Sequence, residues 1–226
     1  MRTKYIKLTA TFYFLLSTFN CIAQVETPAP AQSKSILLLG GIAHLGNGNV
    51  IENSAIGFKD GKLTLVADAR VIKLQANAFD TTISIHGKHV YPGIIAPNST
   101  LGLVEIDAVR ASDDQSEAGS YTPHVRSIIA YNSESRITPT VRANGVLMAQ
   151  ITPRGNVVSG TSTIVQFDAW NWEDAAYKKD DGIHLNWHRM YNPWNGKANE
   201  NYTDNVNELK NFFADALAYS KVNEYE

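Results

Sequence analysis

The sequence predicts a mixed α/β protein, with a small β-sandwich first and alternating strands and helices after it. Short apolar runs separated by Gly, Asn and Asp turns fill residues 36–90, which is typical of a small all-β unit. Beyond residue 90, strand-like and helix-like segments alternate, as they do in βα units. The last such segment, residues 201–222, repeats apolar side chains every three or four positions, which predicts an amphipathic helix.

The first 23 residues have the features of a signal peptide. Three basic residues and no acidic one stand at its start: Arg2, Lys4 and Lys7. An apolar stretch too short to span a bilayer follows, and small residues favour cleavage after Ala23. Lipid modification of Cys21 is the alternative. We therefore expect an exported protein, periplasmic or secreted, without a membrane span.

Residues 24–35 are rich in Pro, Ala and polar side chains, which predicts a linker. The chain has a net charge of -2, and loss of the basic signal peptide makes the remainder more acidic. This charge argues against nucleic acid as a partner. The single cysteine, Cys21, would leave with the signal peptide, so neither disulfides nor thiol chemistry are expected.

Within residues 36–90, predicted strands alternate with tight turns. Asp60-Gly61 stands between two apolar runs and is a two-residue hairpin signal. Strands are expected in the runs SILLLGG, SAIGF, KLTLVA, TTISIHG and HVYPGIIA. Their spacing predicts a small antiparallel sandwich that ends near residue 90.

The segments after residue 100 predict both helices and strands. Short helices are expected in LVEIDAVRA and in VRSIIAYN to TPTVRANG, with Gly145 as a C-terminal cap. GVLMAQITP and SGTSTIVQFDAW are expected to be buried strands. Asp113-Asp114 and Asp180-Asp181 are interpreted as solvated turns.

The stretch GKHVYPGIIAPNSTLGL, residues 87–103, resembles the start of the barrel in the amidohydrolase superfamily, on its imidazolonepropionase-like side. The family pattern there is Gly-Lys-x-Val-x-Pro-Gly-(apolar)-Ile-Asp-x-His-x-His. The stretches IGFKDGKLTLVADA and NGVLMAQITPRGNVVSGTSTIVQFDAWNWEDA resemble its N-terminal sandwich and its next barrel strand. The resemblance covers roughly residues 36–190.

This resemblance implies a (β/α)8 barrel of TIM type that binds one or two divalent metals, often zinc. It also implies a metal-activated water that attacks an amide-like carbon at the carboxyl ends of the strands. Residues 91–226 are fewer than the roughly 250 that a full barrel takes. We therefore expect an incomplete, truncated barrel over this range, as the N-terminal portion of a longer enzyme.

The sequence departs from the family pattern at the metal ligands. Asn98 and Thr100 take the places of the two histidines, and Ala96 takes that of the aspartate. Amides and hydroxyls are poor ligands for zinc, which prefers imidazole and thiolate. We expect Asn98 and Thr100 to hydrogen-bond a substrate or a water network, and capping of the strand end is the alternative.

Arg154, in the loop Thr-Pro-Arg-Gly after a predicted strand, is a candidate for binding an anionic group. His184 and His188 are four residues apart but lack the adjacent glutamate of the metalloprotease helix. Their surroundings, with Gly182 and Pro193 nearby, argue against a helix, so packing or surface roles are expected for both.

Three hypotheses about function follow, and the sequence favours the first as a family assignment. The first is an exported, metal-dependent hydrolase acting on non-peptide or peptide-like C–N bonds, present as a fragment that is inactive alone. The second is a non-catalytic binding or scaffold protein of the same fold that lacks the metal pair. The third is an unrelated exported β-rich binding module. An open half-barrel would also expose strand edges, so we expect self-association.

Overall fold

The computed structural model describes residues 27–75, 77–155 and 157–222. The predicted signal peptide, residues 1–23, lies outside this part of the chain. The described residues form two β-sheets with few helices, which confirms a mixed α/β protein. None of the helices within the described residues has both the length and the apolar composition that a membrane span requires.

The first sheet contains five strands. They are β1 (Ile36–His44), β2 (Val50–Lys59), β3 (Lys62–Asp68), β4 (Thr81–Ser84) and β5 (His89–Val90). Their order is β3-β2-β1-β4, and β5 pairs with a later part of β1. The antiparallel expectation holds for β1–β2 and β2–β3, whereas β4 and β5 run parallel to β1. The sheet is mixed because the chain crosses from one edge to the other after β3. Whether it forms half of a sandwich stays a prediction.

The Asp60-Gly61 hairpin is confirmed between β2 and β3. Both residues are left-handed, with φ values of 52° and 70°. A two-residue type I′ turn requires positive φ at both central positions, and Asp and Gly accept it at low cost. The local sequence therefore determines this part of the sheet.

The second sheet has the order β6-β7-β8-β9. Its strands are β6 (Ile94–Ser99), β7 (Val146–Ile151), β8 (Val158–Gln166) and β9 (Ala176–Leu185). β6 and β7 are parallel, whereas β7–β8 and β8–β9 are antiparallel. One βα crossover is thus present, followed by a meander. β5 ends at residue 90 and β6 begins at residue 94, so the run HVYPGIIA, expected to be one strand of the first unit, is divided between the two sheets.

The crossover from β6 to β7 contains 3-10 turns at Arg110–Ser112 and Ser127–Ala130 and one α-helix, α1 (Ile137–Ala143). Gly145, with φ of 90°, follows the end of α1 as expected. The predicted helix in LVEIDAVRA is wrong. Val104 instead bridges Asp113 in antiparallel fashion, and the hydroxyl of Ser112 bonds two carbonyls of the segment, so the chain folds back on itself.

Two further helices follow. A single turn, α2 (Trp172–Ala175), joins β8 to β9, and α3 (Tyr202–Val222) confirms the predicted C-terminal helix. α3 buries Val206 and Leu209. Leu217, which belongs to the predicted apolar face, is 59% exposed. Only the first half of α3 therefore packs on the described part of the protein.

The main core lies on one face of the second sheet, beneath the crossover. Its buried members are Leu103, Ile128, Tyr131, Ala149, Ile151, Val165, Phe167 and Ala175. Neighbouring residues of a strand point to opposite faces. Gln150, between the buried Ala149 and Ile151, therefore lies on the other face.

Candidate functional site

The carboxyl ends of β6 and β7 bring together two residues that are far apart in the sequence. Arg154 Nη1 donates to Asn98 Oδ1 at 2.6 Å, and Arg154 Nη2 donates to the Asn98 carbonyl at 2.8 Å. The backbone N–H of Arg154 donates to the Gln115 carbonyl at 2.6 Å, which fixes the loop after β7. The predicted residues Asn98 and Arg154 thus form one two-point contact.

Asn98 can make this contact because its backbone is left-handed, with φ of 51°. Asn accepts this conformation more readily than most residues. The register between β6 and β7 shifts at the same place, between Ala96 and Ser99. The turn presents both the side chain and the carbonyl of Asn98 to one guanidinium, which a regular strand could not do because the two point in different directions.

Gln150 links this contact to β9. Its Oε1 accepts from the Asn98 N–H at 3.2 Å, and its Nε2 donates to Asp181 Oδ2 at 2.8 Å. Asp181 Oδ1 also pairs with Lys178 Nζ at 2.7 Å. Hydrogen bonds from Lys178, and then from Gln150, hold the pKa of Asp181 below its ordinary value.

Asp180-Asp181 do not form the predicted turn, although Asp180 is exposed as expected. Both residues lie within β9, and Asp180 is left-handed with φ of 51°. Asp180 receives two hydrogen bonds from Arg126, each of 2.8 Å, and one from Thr161. The irregular register between β8 and β9 lets the two adjacent carboxylates bind different partners.

His184 completes the group of polar side chains. It lies in β9 opposite Gly160 of β8. Burial lowers the pKa of His184, and the positive charge of Arg154 lowers it further, while Asp181 acts in the opposite direction. The imidazole is therefore held neutral at pH 7. We call Asn98, Gln150, Arg154, Asp181 and His184 the strand-end cluster.

Thr100 and His188 occupy other environments. The Thr100 carbonyl accepts from the N–H groups of Leu103 and Val104, which begins a turn. No hydrogen bond joins the Thr100 side chain to Asn98 or Arg154 within the described residues. His188 lies beyond the end of β9, so it does not share a helix with His184. The predicted role of Thr100 in binding a substrate therefore stays a prediction.

The donors at the end of β6 do not fit zinc. Asn98 offers a neutral amide oxygen, and a guanidinium already bonds to it. A positive Arg154 beside a divalent cation would repel it, and amide oxygen is a weaker zinc ligand than imidazole. Among residues 27–75, 77–155 and 157–222, no group of three or more His, Cys, Asp and Glu side chains could hold a metal ion.

Three members of the cluster were not predicted as site residues from the sequence, namely Gln150, Asp181 and His184. Gln150 could have been found, because it is a polar side chain inside the otherwise apolar run GVLMAQI. The sequence indicates a turn at Asp181 and a packing or surface role for His184, so neither is expected in a site. Their segment, AYKKDDGIHL, lacks a regular apolar alternation, and no strand was predicted there.

No protein-family model and no curated protein matches the sequence. A solved structure described as an amidohydrolase from Thermotoga maritima MSB8 matches with a TM-score of 0.69 at 19% identity. The match covers 84% of this chain and 49% of that chain, so this chain spans about half the length of the amidohydrolase. The likeness shows that the fold of this chain is similar to that of part of the amidohydrolase chain.

Proposed function

We propose that the protein binds a small-molecule or peptide-like ligand carrying an anionic group, and that the strand-end cluster is its binding site. The observation that carries the proposal is the guanidinium of Arg154, fixed by Asn98 at the end of a parallel strand pair. Ligands of α/β sheets typically bind at the carboxyl ends of the strands. This is the second of the three hypotheses, a binding protein on a hydrolase-like fold.

The chemistry of Arg154 supports an anionic ligand. A guanidinium has five N–H donors in a planar fork that matches a carboxylate. Two of them bond Asn98, and the hydrogen bonds within the described residues leave the others for a ligand. Because the two bonds to Asn98 fix the plane of the guanidinium, less side-chain entropy is lost when a carboxylate binds.

The neighbouring groups do not cancel this positive charge. Asp181 is already paired with Lys178 and bonded by Gln150. His184 is neutral at pH 7, so it can exchange a hydrogen bond with the ligand without adding charge. The strand-end cluster therefore favours an anion over a neutral molecule of the same shape.

A second candidate is the exported, metal-dependent hydrolase of C–N bonds, which the fold likeness favours. In this hypothesis the second sheet and its crossover are the start of a (β/α)8 barrel, and the parallel pair β6–β7 supports that arrangement. Zinc would then need ligands beyond those at positions 98 and 100. We expect no hydrolase activity from the 226-residue chain alone.

Calorimetric titration with N-acetyl-L-alanine tests the proposal, with N-acetyl-L-alanine amide as the uncharged control. We expect the acid to bind at least about tenfold more tightly than the amide. Arg154→Gln should remove this preference. Arg126→Gln is the matched control, since Arg126 forms a similar two-bond contact with Asp180. Equal affinities for acid and amide would refute the proposal, and stoichiometric zinc with turnover would favour the hydrolase.

A further inference from the structure

The loop between β9 and α3 forms an open cleft that the strand-end cluster does not use. The cleft has a volume of about 550 Å³. Six of its lining residues are Arg189, Tyr191, Asn192, Trp194, Asn195 and Lys197. Trp194 is 93% exposed and Tyr191 is 59% exposed. The cleft thus combines aromatic rings with amide and charged side chains.

Backbone hydrogen bonds hold this loop in one shape. Tyr191 and Ala198 form an antiparallel bridge. The Asn192 N–H donates to the Lys197 carbonyl at 2.8 Å, and the Gly196 N–H donates to the Asn192 carbonyl at 2.9 Å. The exposed rings therefore stand on a closed hairpin, and a ligand would not have to order the loop first.

Two asparagine side chains fix the loop and still offer donors to a ligand. Asn192 Oδ1 accepts from the Trp194 N–H at 2.9 Å, and Asn195 Oδ1 accepts from the Lys197 N–H at 3.0 Å. Within the described residues, neither Nδ2 group donates a hydrogen bond. Each amide thus uses its oxygen on the backbone and keeps two N–H donors for the cleft.

The exposure of Trp194 is not explained by folding. An indole that is 93% exposed contributes little apolar burial. Large exposed apolar side chains that cluster commonly mark binding sites. A rigid ring with only two side-chain torsions also loses little entropy when it is covered.

We infer that this cleft binds a carbohydrate, with the ring of a neutral sugar stacked on Trp194. A pyranose offers a flat face of C–H groups for the indole and a rim of hydroxyl groups for the Asn192 and Asn195 amides. Both signs of charge line the cleft, since Arg189, Lys197 and Glu200 are all among its lining residues, so a strongly charged ligand is not favoured. The inference is independent of the anion-binding proposal.

Binding of maltohexaose, cellohexaose and chitohexaose to the full chain tests this inference, measured by tryptophan fluorescence and by saturation-transfer NMR. We expect saturable binding of at least one of the three. Trp194→Ala should weaken it about tenfold or more, as for other aromatic anchors. Trp170→Ala is the matched control, because Trp170 is 58% exposed on a different loop and should have no effect.

Asn195→Asp tests the Nδ2 donors of Asn195 without changing the shape of the loop. Aspartate can still accept from the Lys197 N–H, so the turn is kept, but the Nδ2 donors are lost. We expect weaker sugar binding with unchanged thermal stability. The inference is wrong if none of the three sugars binds, or if Trp194→Ala binds as tightly as the wild type. Binding of decaproline through Trp194, with no sugar binding, would also overturn it.

Discussion

Gln150 donates its Nε2–H to Asp181 across 2.8 Å, and this bond joins the second strand of the sheet to the fourth. β8 lies between β7 and β9, so the contact passes over the intervening strand. The same side chain accepts from the Asn98 N–H of β6. One glutamine therefore links Asn98, at the end of β6, to Asp181 of β9.

Gln150→Glu should destabilise the protein and weaken anion binding. Glutamate can still accept from Asn98, but it cannot donate to Asp181 and would place a second negative charge beside it. We expect Tm to fall by roughly 2–4 °C at pH 7 and the deficit to shrink as the pH is lowered toward 4. Gln75→Glu adds the same charge in an exposed loop and is the control. Identical melting of the two variants at pH 7 would contradict this expectation.

The pH dependence of stability should contain a contribution from His184. Its pKa is lower in the folded protein than the ordinary 6.5, so the unfolded chain binds more protons just below pH 6.5. Stability therefore decreases as the pH falls from 6.5 toward the lower folded-state pKa. Urea unfolding at pH 7.5, 6.5 and 5.5 measures this contribution. Between pH 7.5 and 5.5 the free energy of unfolding should decrease less for His184→Asn than for the wild type. An equal loss in both proteins would rule out this contribution.

Gly102→Ala should destabilise the turn that follows the strand end. Gly102 has φ of 74°, and an added Cβ would lie 2.5 Å from Cε2 of the buried Tyr131. We expect a loss of roughly 1–3 kcal/mol in free energy of unfolding from overpacking and backbone strain. Gly48→Ala is the control, since Gly48 has φ of 90° but no atom within 4 Å of the added Cβ. Equal losses would show that the Tyr131 contact has no role.

Local signals account for the parts of the fold that could be predicted. The Asp60-Gly61 hairpin depends on two adjacent residues, and α3 depends on a regular apolar repeat. β9 was missed because its residues are mostly polar and exposed, so no alternation marks them. The parallel pairing of β4 with β1 was missed because the crossover between them has no local signature.

The candidate site was predicted as separate residues and not as an arrangement. Asn98 and Arg154 were each identified at a strand end, yet their contact depends on a left-handed residue and a register shift. Asp181 and His184 reach the site only through the pairing of β8 with β9. Long-range strand pairing of this kind is not encoded in spacing along the chain, so those residues required a structure.

The outer edge of β6 should make the chain self-associate. This edge has no strand partner among the described residues. Ile94 and Ile95 on β6 are each 55% exposed. Unpaired edges with apolar side chains favour pairing with another chain, and a lysine at such an edge opposes it.

We therefore expect oligomers in size-exclusion chromatography with light scattering, and a shift toward the monomer for Ile95→Lys. Val71→Lys is the control. Val71 is 79% exposed in the loop after β3, so the same change there removes apolar surface away from the edge and should leave the oligomers intact. A wild-type chain that elutes as a monomer at every concentration tested would show that this edge is protected in solution. Its unpaired N–H and C=O groups would then be satisfied by water, and the exposed isoleucines would be too few to drive association.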